Sequence, residues 1–223
     1  MRLVATSDTH KKVDISLIPD GDVFVHAGDL CETGYPDDWK QQLEWLAEIP
    51  HQHKYIIFGN HDFHAEVYPG PALQDMRKIG FKVLGYPGNK NFYTTILPNK
   101  MLMGGISYIG GLNNRWAFGD ATLNRYNETL QNMICECHKC DIMVTHEPVY
   151  GILDYSQRGN VHCGNTTIRN FIDMNYFRNL KYFIHGHIHE QYGHELYNDI
   201  NFHNVAMCDR KGNHKNPPLV LDL

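Results

Sequence analysis

Short apolar runs closed by polar or glycine-containing segments set the pattern of this chain. Residues 2–6, 22–26, 55–58, 142–145 and 182–185 form runs of four or five, rich in Val, Ile, Tyr and Phe and bounded by Gly, Asp or Asn. Runs of that length without alternation predict strands buried on both faces. Weaker runs at 92–97, 105–109, 202–207 and 219–221 predict further strands. Elsewhere the spacing is helical: residues 36–49 place Trp39, Leu43 and Leu46 on one face, with Pro36 suited to the first turn. Segments 121–138 and 165–175 show the same period more weakly. Strand–helix alternation early and clustered strands later predict a mixed α/β domain whose sheets are covered by helices. No repeat, low-complexity tract or Pro/Ser-rich linker divides the sequence, so a single domain over residues 1–223 is expected.

The polar residues that close the five strong runs are unusual. They read Ser7-Asp8-Thr9-His10, His26-Ala27-Gly28-Asp29, Gly59-Asn60-His61-Asp62, Thr145-His146-Glu147-Pro148 and Gly186-His187-Ile188-His189. In α/β sheets ligands bind beyond the carboxyl ends of strands, so these loops are expected to converge. Asp8, Asp29, Asn60, His10, His146, His187 and His189 then form a mixed nitrogen and oxygen donor set that suits Mn²⁺, Fe or Zn²⁺. Seven side chains are too many for one cation with an open position. With one carboxylate shared, they suit two cations about 3.5–4 Å apart. Two divalent ions against two carboxylates leave a positive centre, which favours an anionic substrate.

Composition narrows the rest. The net charge is −5 without a block of like charges, which disfavours long nucleic acid as a partner. No run of 18 apolar residues predicts a membrane span, and the N-terminal residues lack the apolar core of a signal peptide. Cys31, Cys135, Cys137, Cys140, Cys163 and Cys208 are not spaced as a disulfide framework, so a reducing, cytoplasmic setting is expected.

In order and spacing the five loops resemble the calcineurin-like metallophosphoesterases, whose pattern is D-x-H, G-D, G-N-H-D/E, a lone H and G-H-x-H. The segments 145–154 and 185–193 look closest to the small metallophosphoesterase-domain-containing branch, which is similar to the class III cyclic nucleotide phosphodiesterases. The resemblance implies two facing mixed β-sheets flanked by helices, a four-layer sandwich. It also implies roles. Asp8, His10 and His189 would hold one metal, Asn60, His146 and His187 the other, and Asp29 both. His61 would assist the leaving oxygen, with Asp62 orienting it. The expected activity is hydrolysis of a small phosphodiester, cyclic nucleotides included, by a hydroxide held between the cations. Phosphomonoesterase or protein phosphatase activity is the alternative, and a non-catalytic binder of a phosphorylated ligand is a further one.

Other residues invite two readings. The loop holding Arg115, Trp116 and Phe118 can stack a base and hold a phosphate, or its aromatics can plug the core. Cys135, Cys137 and Cys140 surround His138 like a zinc fragment, but without a second C-x-x-C they read as buried or inert thiols. His26 reads as a packed histidine behind the site. His51, His53, His138, His194, His203 and His214 read as surface or satisfied polar residues, and His64 and His162 fall near the site loops.

Overall fold

The computed structural model describes residues 1–86, 94–110, 112, 115–119, 130–132 and 134–223. Its first sheet contains β1 (Arg2–Thr6), β2 (Val23–Ala27), β3 (His53–Ile57), β4 (Phe81–Val83) and β13 (Leu219–Asp222), in the order β13-β1-β2-β3-β4. All neighbours are parallel except β13, which runs antiparallel to β1 at the edge. The second sheet contains β5 (Thr94–Ile96), β6 (Leu102–Ile106), β7 (Ile142–Thr145), β10 (Tyr182–His185), β11 (Gly193–Tyr197) and β12 (Ile200–Asn204). Its order is β11-β12-β10-β7-β6-β5, with a parallel centre and antiparallel edges. A short hairpin, β8 (Tyr155–Ser156) and β9 (Val161–His162), stands apart from both.

The strands' two-residue period sorts side chains into three cores. Leu3, Ala5, Val25 and Ile57 meet Met103, Ile142, Val144 and Ile184 between the sheets. Val4, Phe24, Ile56 and Phe58 face outward under Trp39, Trp45 and Leu46 of α1 (Pro36–Ala47) and Ala72 and Met76 of α3 (Pro69–Lys78). On the far side, Met143, Phe183 and Phe202 pack against Ile168 and Ile172 of α4 (Thr166–Asp173). The order is therefore helices, sheet, sheet, helices. Central strands covered on both faces carry no polar alternation, which is why they read as continuous apolar runs.

Some elements differ from the expectation. The strand expected at 105–109 runs three residues earlier, as Leu102–Ile106. Gly104 and Gly105 mark a break by propensity, yet a Cβ at Gly104 would meet the Cys137 and Cys140 sulfurs at 2.6 and 2.8 Å. The two glycines thus make room within the strand. Helices α2 (Phe63–Val67) and α3 were not expected; Pro69, Gly70 and Pro71 stand in the first turn of α3, where proline is tolerated. Within 121–138, residues 130–132 and 134–137 are helical and 138 is in the turn that follows; 121–129 and 133, and 92–93 of the expected strand, lie outside the described residues. Among the described residues no helix is long and apolar enough to cross a membrane.

Candidate metal centre

Strands β1, β2, β3, β7 and β10 are parallel within their sheets, and each of the five chemical loops leaves at a carboxyl end. Ser7 continues β1 into a bridge with Ala206 beyond β12, which draws the two sheets together at that end. The loops turn abruptly there. Asp8, His10, Asp29 and His187 all adopt positive φ, at 50°, 51°, 53° and 70°. Four side-chain-bearing residues in the left-handed region is a concentration of strain of the kind found where function fixes the backbone. The motif glycines have a second role. A Cβ at Gly28 would stand 2.6 Å from His146 Nδ1, one at Gly59 would collide with the Asp29 carboxylate, and one at Gly186 with Asp8. The ligands occupy the space that side chains at these positions would need.

Three of the imidazoles are fixed by main-chain carbonyls. Nδ1 of His10 lies 2.9 Å from the Cys31 oxygen, Nδ1 of His146 2.9 Å from that of Ala27, and Nδ1 of His189 3.1 Å from that of Asp209. A carbonyl only accepts, so each Nδ1 carries the proton and each Nε2 presents a lone pair when the ring is neutral. These Nε2 atoms converge. His10 and His189 approach to 3.3 Å, His189 lies 3.2 Å from Asp8 Oδ1, and His146 lies 3.3 Å from Asp29 Oδ2. Lone pairs and two buried carboxylates facing one another require a positive charge between them. Asn60 Oδ1 and His146 Nε2 are buried and make no hydrogen bond among the described residues, the condition of atoms awaiting a ligand. The His187 ring stands edge-on to His146, centroids 5.2 Å apart, and its backbone N–H donates to Asp8. Metal-capable groupings within 4.8 Å comprise Asp8, His10 and His189; Asp8, Asp29 and His146; and His10, Asp29 and His61. Asp8, His10, Asp29, His146 and His189 therefore share one centre, with His187 beside it against His146, and their nitrogen and oxygen donors fit divalent cations.

Without metal, protons supply the charge. Burial works against His146 ionising, but Asp29 and Asp8 prevail and raise it to about 10; His189 is likewise raised to about 9, Asp8 outweighing burial. Burial opposes ionisation of Asp8 and Asp29 too, yet His146 holds both carboxyls well below the usual range. Burial instead lowers His26 to about 3 and His185, His187 and His203 to about 4. The linkage signs oppose each other. The raised pair favours the fold below the unfolded value of 6.5 and loses that contribution as pH climbs through about 9 to 10. The lowered four favour the fold above 6.5 and lose it as pH falls towards 4 and 3. Asp62, raised to about 7 by burial and by Asp29, offsets part of the acid limb. The melting temperature of the chelated chain is therefore expected to peak near pH 6.5 and fall on both sides. A melting temperature still rising from pH 7 to 10 would contradict the protonated pair.

Two expected roles are corrected. Asp62 does not touch the His61 ring: it is fully buried, and its oxygens accept the backbone N–H groups of Cys31 and Gly59 at 3.0 and 2.8 Å. It joins the Asp29 and Asn60 loops. The His61 ring is oriented by the Glu32 carbonyl, 2.6 Å from Nδ1. That carbonyl is steadied by Asp38, which collects the N–H groups of Glu32, Thr33 and Gly34. Phe118 is no substrate contact, being 2% exposed and packed against Phe58 and Tyr86 in the core. Its φ of 54° turns it inward. Its neighbours differ: Arg115 and Trp116 are exposed, and the Trp116 ring lies 5.0 Å from His61.

Among the other histidines, His26 packs behind the site against Thr9, as expected. His51 is buried rather than at the surface, beside Phe24. Cys137 and Cys140 are buried against Gly104, whereas Cys135 is exposed. All six cysteines are free. Sequence reading missed the carbonyls that orient the rings and Ser7, whose hydroxyl donates to Asp8 at 2.5 Å.

The family model for calcineurin-like phosphoesterases matches residues 1–191. The human metallophosphoesterase domain-containing protein 1 is 30% identical over 232 residues, covering 100% of this chain and 71% of that protein. A UPF0046 protein of Caenorhabditis elegans is 28% identical over 245 residues, covering 100% of this chain and 81% of its own. Among solved structures, a dimetal phosphatase from Danio rerio superposes with a TM-score of 0.58 at 10% identity, covering 99% of this chain and 91% of that one. The protein TT1561 of Thermus thermophilus superposes at 0.59 with 15% identity, covering 91% and 88%. At those identities the structures support the four-layer fold.

Proposed function

The chain belongs to the calcineurin-like phosphoesterases, a family of phosphoric ester hydrolases, and from that premise we propose that it cleaves a small phosphodiester, cyclic nucleotides included, at two divalent transition-metal ions. Asp8, His10 and His189 would hold one cation, Asn60, His146 and His187 the other, and Asp29 both. Bound cations would polarise the phosphoryl oxygens and offset the charge that develops on them. The observation that carries this reading is the convergence of carbonyl-fixed imidazoles on two buried carboxylates.

The chain's own groups supply the rest. With Nδ1 committed to the Glu32 carbonyl, His61 presents Nε2 to the site, the position from which it assists the leaving oxygen. Ala117 donates its N–H to the Asn60 carbonyl at 3.1 Å, which pins the Trp116 loop beside His61. Trp116, 38% exposed there, can lie along an ester arm, with Arg115 next to it. Support for a diester comes from the space around the centre. A cavity of about 400 Å³ opens beside His187 and another of about 370 Å³ beside His189, so both arms have room.

A substrate panel under metal control tests this. After chelation, Mn²⁺ is expected to restore cleavage better than Ca²⁺, because imidazoles suit borderline ions. Bis(4-nitrophenyl) phosphate and cyclic nucleotides are expected to outpace 4-nitrophenyl phosphate. Faster monoester cleavage would make the protein a phosphomonoesterase, and full activity in excess chelator would remove the metal reading.

A further inference from the structure

The cavity beside His187 is lined by His162, which is paired with a buried carboxylate, and the reaction above leaves both unused. His162 Nδ1 lies 2.6 Å from Asp154 Oδ1, and Asp154 is 1% exposed. The other carboxylate oxygen accepts the N–H groups of Gly151 and Gly164, each at 3.0 Å, and so ties the two ends of the intervening loop. The His162 ring stands between Tyr150 and Tyr155, with centroids 5.4 and 5.3 Å away. Tyr155 is its cross-strand partner in the β8–β9 hairpin. With the carboxylate on Nδ1 and tyrosines to either side, the orientation of the imidazole is determined and Nε2 is left for another partner.

His162 lines this cavity together with His187, Glu147 and the start of α4 at Asn165, Thr166 and Thr167. The lining is mixed in hydrogen-bonding character. The two threonines offer hydroxyls, and the first turn of α4 directs backbone N–H groups outward. Glu147, 5% exposed, supplies a carboxylate already engaged at one oxygen by Asn165 Nδ2, 2.9 Å away. Donors and acceptors in alternation suit sugar hydroxyls and the polar edge of a heterocycle better than an alkyl chain. The volume lies within the range of small-ligand sites.

We propose that His162, oriented by buried Asp154, is the specificity-determining contact for a nucleoside arm of the substrate, bound in the cavity beside His187. The inference rests on the phosphodiesterase reading and adds the chemistry of the second arm. Asp154 is the positioning residue and His162 the one that touches substrate.

Two measurements on the full chain loaded with Mn²⁺ test it. The first is the ratio of kcat/KM for thymidine 5′-(4-nitrophenyl phosphate) to that for methyl 4-nitrophenyl phosphate. His162→Ala is expected to lower the ratio about tenfold, mainly through KM, the size of one hydrogen bond to a fixed group. The second is calorimetric binding of a nucleoside 5′-monophosphate against inorganic phosphate. The wild-type chain is expected to prefer the nucleotide, and His162→Ala to narrow that preference by about the same tenfold. His162→Gln, which keeps a polar side chain in the hairpin, guards against a folding defect and is expected to fall between the two. Equal losses on both esters with a lowered melting temperature would make His162 a hairpin staple and overturn the proposal. So would equal affinity of the wild-type chain for nucleotide and phosphate. A nucleotide preference that depends on His162 in a chain lacking diesterase activity would keep the subsite and remove the phosphodiesterase reading.

Discussion

Asp29→Ala is expected to lower kcat/KM on every cleaved phosphoester by more than about 100-fold and to strip metal from both positions. Groups that merely orient ligands cost about 10–100-fold when removed, and a ligand shared by two cations must cost more. Asp29 sits centrally: it is 2% exposed, 3.3 Å from His146 and 3.9 Å from His10, and it accepts the His61 N–H at 2.8 Å. Its loss therefore leaves two imidazoles without their counter-charge and frees the loop that carries Asn60 and His61. A variant retaining two cations and ordinary turnover would show that the carboxylate bridges nothing.

His61→Ala is expected to behave differently, keeping its metal while turnover falls by roughly 10²–10⁴-fold, the range for loss of a general acid. The ring is tied to Glu32 rather than to a ligand carboxylate, and the residue is partly exposed. KM should change less than kcat, because the group acts on the departing oxygen. Substrates with an acidic leaving group such as 4-nitrophenol need little protonation, so the loss should be smaller on them than on an alkyl ester. His61 also lies within 4.8 Å of donor atoms of His10 and Asp29. Metal content is thus the deciding measurement: a variant that loses a cation would make His61 a ligand and not an acid.

Much of this arrangement is legible in the sequence, for a physical reason. Central parallel strands are covered on both faces, so they appear as apolar runs, and the residues that follow them must lie at one end of the sheet. Asp8, Asn60 and His187 were therefore placeable without coordinates. Edge elements were not: Gly193–Tyr197 alternates half-buried and exposed positions and has no apolar run to show it. The groups that aim the metal ligands were also hidden, because the carbonyls of Ala27, Cys31 and Asp209 have no side-chain signature. Asp62 misled for a related reason. Adjacency to His61 suggests contact, yet the fold turns the carboxylate onto two backbone N–H groups instead. Trp116 and Phe118 differ by two positions and one backbone turn, and that turn decides which meets the site and which meets the core.

The central claim, that two buried carboxylates and carbonyl-fixed imidazoles hold a pair of cations, is tested most directly by counting metal. Chelated protein titrated with Mn²⁺ or Zn²⁺ and followed by calorimetry in buffers of differing ionisation enthalpy is expected to take up two equivalents. Binding should release protons near neutral pH, since the metal-free site keeps His146 and His189 protonated. Uptake of no metal, or a single equivalent unaffected by Asp29→Ala, would contradict the account.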